Sequence, residues 1–178
     1  QLLMDAEMEE IHQFAEGNLT AHSQYNDIKQ KLDKQACKQL LLSVFEIPAK
    51  FGFNLTTEKY ANDIPDDDVT MAMLNSNNTN ARTQGKNWTE KYQYNYFQQS
   101  NFITALIFAK HEDVRSWAKQ FLKNTNLTGE IKNAVVGKSI AELMGYTTQT
   151  NENESIIKHA ADTLFELFNE ELRQVNLG

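Results

Sequence analysis

A chain of 178 residues with 40% hydrophobic and 23% charged residues, but only 7 Gly and 2 Pro, is short of turn-forming residues. Average usage would supply roughly 12 Gly and 9 Pro at this length, so sandwiches, barrels, propellers, collagen-like and proline-rich architectures are excluded. The net charge of −7 opposes nucleic acid and anionic membrane surfaces as partners, and no apolar run approaches the ~20 residues of a transmembrane segment.

Taken in chain order, residues 2–16 read as a first helix. Leu3, Met8, Ile11 and Ala15 recur at helical spacing, Asp5, Glu7, Glu9, Glu10 and Glu16 cover the other face, and Gly17 is the expected stop. A second pattern runs from Thr20 to Ile47 through Tyr25, Ile28, Leu32, Ala36, Leu40, Leu41, Val44 and Phe45. As one helix it would be about 40 Å long, ended by Pro48. Lys29, Lys31, Lys34 and Lys38 lie along it with Asp27 and Asp33 between them, a solvated face rather than a phosphate-binding patch. Cys37 falls within the apolar periodicity and is expected to be a buried, inert thiol.

Residues 48–55 read as a loop carrying two aromatic anchors, and Pro65 with Asp66, Asp67 and Asp68 as a strong helix start. The polar, aperiodic stretch 75–87 is expected to be a mobile loop. Helical patterns follow over 88–110, 112–124, 128–144 and 153–175, the last with the cleanest apolar stripe. Gly137, inside the third of these, suggests a close helix–helix approach. The total is seven or eight helices and no strand. The fold class is all-α, a single domain over 1–178 built as a bundle or irregular array.

Asn-x-Ser/Thr occurs six times, starting at Asn18, Asn54, Asn77, Asn87, Asn126 and Asn153, against about two expected by chance; the tripeptide is an N-glycosylation acceptor. Each Asn-Leu-Thr, at 18–20, 54–56 and 126–128, precedes a predicted helix, which favours a helix-capping reading over glycosylation. The four triplets that start at Asn18, Asn54, Asn87 and Asn126 are about 33–39 residues apart, which keeps a short α-solenoid of degenerate helical hairpins as the alternative fold.

Chemistry-bearing constellations are weak. Glu9-x-x-His12 has the spacing used by carboxylate-bridged di-iron bundles but has no second copy. His111-Glu112-Asp113 reads as a break between helices, and Asp63 to Asp68 lacks the alternating oxygens of a calcium loop. No spacing ties a nucleophile to a base, and no cofactor or metal is implied. The strongest lead is aromatic: Trp88, Tyr92, Tyr94, Tyr96 and Phe97 fall within ten residues. Trp88, Tyr92 and Tyr96 would share a face at i, i+4 spacing, a set suited to core packing or to a recognition surface.

The sequence therefore favours a non-enzymatic helical protein that binds a protein partner or small ligand through Trp88, Tyr92, Tyr94 and Tyr96 and through acidic faces. The alternatives are a helical enzyme or carboxylate metal protein using the first helix, and an exported structural protein. Gln1 in place of Met suits a mature exported form and equally a piece of a longer chain, so compartment and oligomeric state stay open.

Overall fold

The structure, a computed structural model, describes residues 2–146 and 150–175. Among these the regular elements are thirteen helices, with no strand, so the all-α expectation holds while the count of seven or eight does not. Length suggested one domain over 1–178; the chain groups into two compact units, Gln1–Lys91 and Tyr92–Gly178.

The first unit contains α1 (Leu2–Asp5), α2 (Glu9–Ala21), α3 (Tyr25–Lys31), α4 (Lys34–Leu41), α5 (Glu46–Lys59), α6 (Asp67–Leu74) and α7 (Thr79–Lys91). Two long patterns seen in the sequence are broken here. Asp33 accepts a hydrogen bond from the Ala36 amide at 2.8 Å and so caps α4 where a continuous helix was expected. Apolar periodicity runs through that break because α3 and α4 both have apolar faces turned inward. Gly17, expected as a stop, lies inside α2. Pro48, also expected as a stop, lies in the first turn of α5. First-turn amides have no intrahelical acceptor, so proline loses nothing there. The predicted 48–55 loop is therefore helix, and Phe51 and Leu55 join Leu3, Cys37 and Leu40 in the core.

The expected mobile loop at 75–87 is also corrected. Asn78 accepts from the Ala81 amide at 3.0 Å, and Arg82 donates to the Ser76 and Asn77 carbonyls at 3.0 and 3.1 Å. α7 thus starts from a well-bonded turn. Its contact residues Ala81 and Gly85 are buried but too small to register as apolar periodicity. A Cβ on Gly85 would lie 2.9 Å from Leu74 Cγ, and one on Gly52 would lie 2.7 Å from both Leu40 Cβ and the Leu41 nitrogen. Close approach therefore occurs at Gly52 and Gly85. At Gly137 nothing lies within 4 Å, against the expectation for that position.

The second unit contains α8 (Gln93–Tyr96), α9 (Ser100–Ile107), α10 (Glu112–Lys123), α11 (Gly129–Gly145), α12 (Asn151–Leu167) and α13 (Asn169–Gln174). Its core gathers Phe102, Ile103, Leu106, Val114, Val135, Leu164 and Phe168. Buried Arg115 on α10 donates through Nη1 to the carbonyls of Ala109 and Lys110 at 2.8 and 2.7 Å, and through Nη2 to Ser155 Oγ on α12 at 3.0 Å. One guanidinium thus satisfies carbonyls in the α9–α10 connection and fixes α12 beside them. On the surface of the same pair, Glu166 of α12 joins Lys119 and Lys123 of α10 at 2.7 and 3.1 Å.

The capping reading of Asn-Leu-Thr survives at one of its three occurrences. Thr128 accepts from the Ile131 amide at 3.4 Å at the start of α11. The triplets at 18–20 and 54–56 lie inside α2 and α5, and Asn-Trp-Thr at 87–89 inside α7. In the first and last of these the threonine hydroxyl turns back on the helix: Thr20 donates to the Glu16 carbonyl and Thr89 to that of Gly85, each at 2.8 Å. Among the described residues, no helix is long and apolar enough to cross a membrane.

Candidate functional site

The four aromatic residues singled out in the sequence do not form one surface. α7 ends at Lys91 and Tyr92 departs from helical geometry with φ −113° and ψ 25°, so the i, i+4 stripe is interrupted in its middle. Trp88 belongs to the first unit and is buried, meeting the Tyr60 ring edge-on at 6.2 Å. The Tyr60 hydroxyl faces Asp66 Oδ2 at 3.4 Å, and burial together with that carboxylate pushes the phenol up to about 12. Trp88 is therefore a core residue with a polar neighbour at one edge.

In the second unit Tyr96 is also core, stacked on Phe102 at 4.8 Å with an interplanar angle of 26°. Tyr92 is half-buried and meets Tyr96 edge-on at 6.4 Å. Each such ring pair contributes roughly 0.5–1.5 kcal/mol beyond the area it buries. Only Tyr94 of the four is turned out, at 80% exposure. Helical geometry explains the split: Tyr92 and Tyr96 are one turn apart on the core side, and Tyr94 lies between them on the opposite side.

Tyr94 borders a cavity of about 300 Å³. Gln93, Phe97 and Gln98 line it from α8 and its exit, and residues 124–128 with Ile131 line it from the α10–α11 connection and the start of α11. Phe97 is held from behind by Phe121 at 5.6 Å, which stacks on Trp117 at 5.4 Å, so the apolar floor is braced by a column of rings. Thr125 donates to the Phe121 carbonyl at 2.9 Å and Asn124 to that of Gln120 at 3.0 Å, fixing the backbone of the connection. The amides of Gln93, Gln98 and Asn126 are exposed at the rim. Among the described residues none that lines it carries a charge, in a chain where 23% of residues do. The sequence signal pointed to α8; the contribution of Leu127, Thr128 and Ile131 comes from a segment some thirty residues away and has no local signature.

The first unit has a larger groove of about 510 Å³, lined by Asn26, Lys29, Gln30, Leu55, Glu58 and Lys59. Its charged groups are engaged with one another or the backbone. Lys29 pairs with Glu58 at 2.6 Å, and Lys59 donates to the Leu32 carbonyl at 2.7 Å. The hydrogen bond to Glu58 holds the Lys29 ammonium above its ordinary range. A ligand would have to displace these contacts, so the groove is the weaker candidate.

The Glu9-x-x-His12 pair is not a metal centre in the geometry seen. Glu9 Oε1 accepts from the Ile47 amide at 3.2 Å, and His12 is fully buried with its ring 4.6 Å from that of Phe45. Among the described residues no group of three or more His, Cys, Asp or Glu is placed to hold a metal. Cys37 is fully buried, and burial pushes its thiol up, as expected for an inert residue.

No protein-family model matches the chain, and neither a curated protein nor a solved structure does. The functional reading rests on the geometry above.

Proposed function

We propose that this is a non-enzymatic binding protein whose second unit takes a small uncharged molecule in the cavity beside Tyr94. The observation that carries the reading is the pairing of an aromatic and aliphatic floor with a rim of amides and hydroxyls and no charge. A charged ligand would lose its hydration without gaining a counter-charge, a penalty of several kcal/mol. A neutral ring with one apolar face and several hydroxyl or amide groups matches both surfaces. The volume, at the small end of ligand sites, suits one ring of that kind. Of the aromatic residues proposed from sequence, Tyr94 is the contact; Tyr92 and Tyr96 support the fold around it, and Trp88 belongs to the core of the first unit.

The reading is tested by titrating isotope-labelled protein with N-acetylglucosamine and glucose, and in parallel with glucuronate and glucose 6-phosphate. Saturable amide shifts confined to the Tyr94, Leu127 and Ile131 region, seen only with the neutral sugars and abolished by Tyr94→Ser, are expected. Tyr94 is exposed, so its replacement leaves the fold intact. Absence of shifts with the neutral sugars, or shifts that survive Tyr94→Ser, would discard the reading.

A further inference from the structure

The acidic face of the first helix has a feature that the cavity does not use. Residues 1–28 hold six carboxylates and no Lys or Arg, leaving 18 acidic against 17 basic residues in the rest of the chain. Nearly all of the net charge of −7 therefore resides in this segment. Within it, α2 turns His12, Ala15 and Leu19 inward, while Phe14 stands out at 65% exposure, Ile11 at 37% and the N-cap residue Met8 at 56%. Ile11 and Phe14, three residues apart, lie along one side of the helix, with Met8 at its N-cap. Glu10, exposed, precedes Phe14 by one turn and borders the same strip, and exposed Glu7 lies just before the N-cap residue Met8.

From this juxtaposition we infer that the Met8–Ile11–Phe14 side of α2 docks a basic amphipathic helix of a protein partner. Its apolar residues would cover Ile11 and Phe14, and its Lys or Arg would meet Glu7 and Glu10. Charge selects this occupant over the others. A second copy of the chain would bring the same carboxylates together, which is repulsive by several kcal/mol at an interface. An anionic lipid surface repels the same face. The segment has no cation of its own to neutralise Glu7 or Glu10 before Lys29, so a basic partner gains long-range steering as well as contact.

The test uses a synthetic Leu/Lys amphipathic peptide of about four helical turns, a scrambled peptide of the same composition and a Leu/Glu counterpart, read by fluorescence anisotropy. The expected result is binding of the Leu/Lys peptide alone, at least about tenfold weaker for Phe14→Ser and for the Glu7→Lys, Glu10→Lys double variant, and unchanged for Tyr94→Ser. That last variant separates this surface from the cavity. Equal binding of the scrambled peptide, or indifference to Phe14→Ser, overturns the inference. So does a wild-type dimer in sedimentation that Phe14→Ser dissociates, or capture by phosphatidylserine vesicles lost in the same variant.

Discussion

The two units bury their helices by different means. In the first, pairs of helices touch backbone to backbone: α5 meets α4 at Gly52, and α7 meets α6 at Gly85. Its charged groups then brace the outside, where Lys34 and Lys38 surround Asp68 at 3.4 and 2.8 Å. Burial pushes the Asp68 carboxyl up, and these two ammonium groups more than reverse that, leaving it below its ordinary value. In the second unit the spacers are rings, in the series Tyr96, Phe102, Phe97, Phe121 and Trp117, and the buried polar tie is Arg115. The contrast teaches where each unit tolerates change. Backbone contact has no slack, because no rotamer can absorb an added methyl group. Ring packing can adjust, but a buried guanidinium cannot be removed without orphaning the carbonyls it serves.

The largest effect should follow from Gly52→Ala. Its added Cβ would press on Leu40 Cβ and the Leu41 nitrogen at 2.7 Å, and moving two helices apart should cost about 3 kcal/mol in urea unfolding. Gly137→Ala is the control: with nothing within 4 Å it should stabilise by up to about 1 kcal/mol, the helix-propensity difference alone. If both substitutions behave alike, backbone contact does not distinguish the first unit.

Next in size, Arg115→Met keeps much of the volume but leaves the Ala109 and Lys110 carbonyls without their donor. A loss of about 2 kcal/mol is expected, with Arg115→Lys recovering less than half because an ammonium cannot span both carbonyls and Ser155. A neutral result for Arg115→Met would remove the guanidinium from the account of the second unit.

The smallest effect is one of pH. His159 lies below its ordinary 6.5, chiefly through burial, with a hydrogen bond to the Arg115 backbone acting in the opposite direction. The unfolded chain therefore takes up a proton near 6.5 while the folded chain does not. Stability contributed by neutral His159 is full above that pH and declines as pH falls toward the folded value. Urea midpoints measured from pH ~7.5 to ~5 should fall more in wild type than in His159→Gln. Parallel slopes would remove His159 from the account.

Much of the fold could be read in advance, and the failures share a cause. The helices at 112–124 and 128–144 were placed within a residue or two because apolar spacing and terminal signals agreed there. The 75–87 and 48–55 segments were misread as loops because their buried residues include Ala81, Gly85 and Gly52, which carry no hydrophobic period, and because Pro48 serves a first turn as readily as it ends a helix. At the site, the aromatic cluster was visible, but which ring faces outward depended on a helix break at Tyr92 that has no Gly or Pro to mark it.

What the sequence by itself determined is the all-α class, from scarce turn residues and pervasive helical periodicity, and the acidity of the first helix, which is a matter of counting. Only the tertiary structure decided that Trp88 and Tyr96 are core, that Tyr94 is the exposed member, and that residues 124–128 with Ile131 complete its cavity. The reason is physical: periodicity reports which side of a helix is apolar, whereas exposure and cavities depend on which distant helix covers that side.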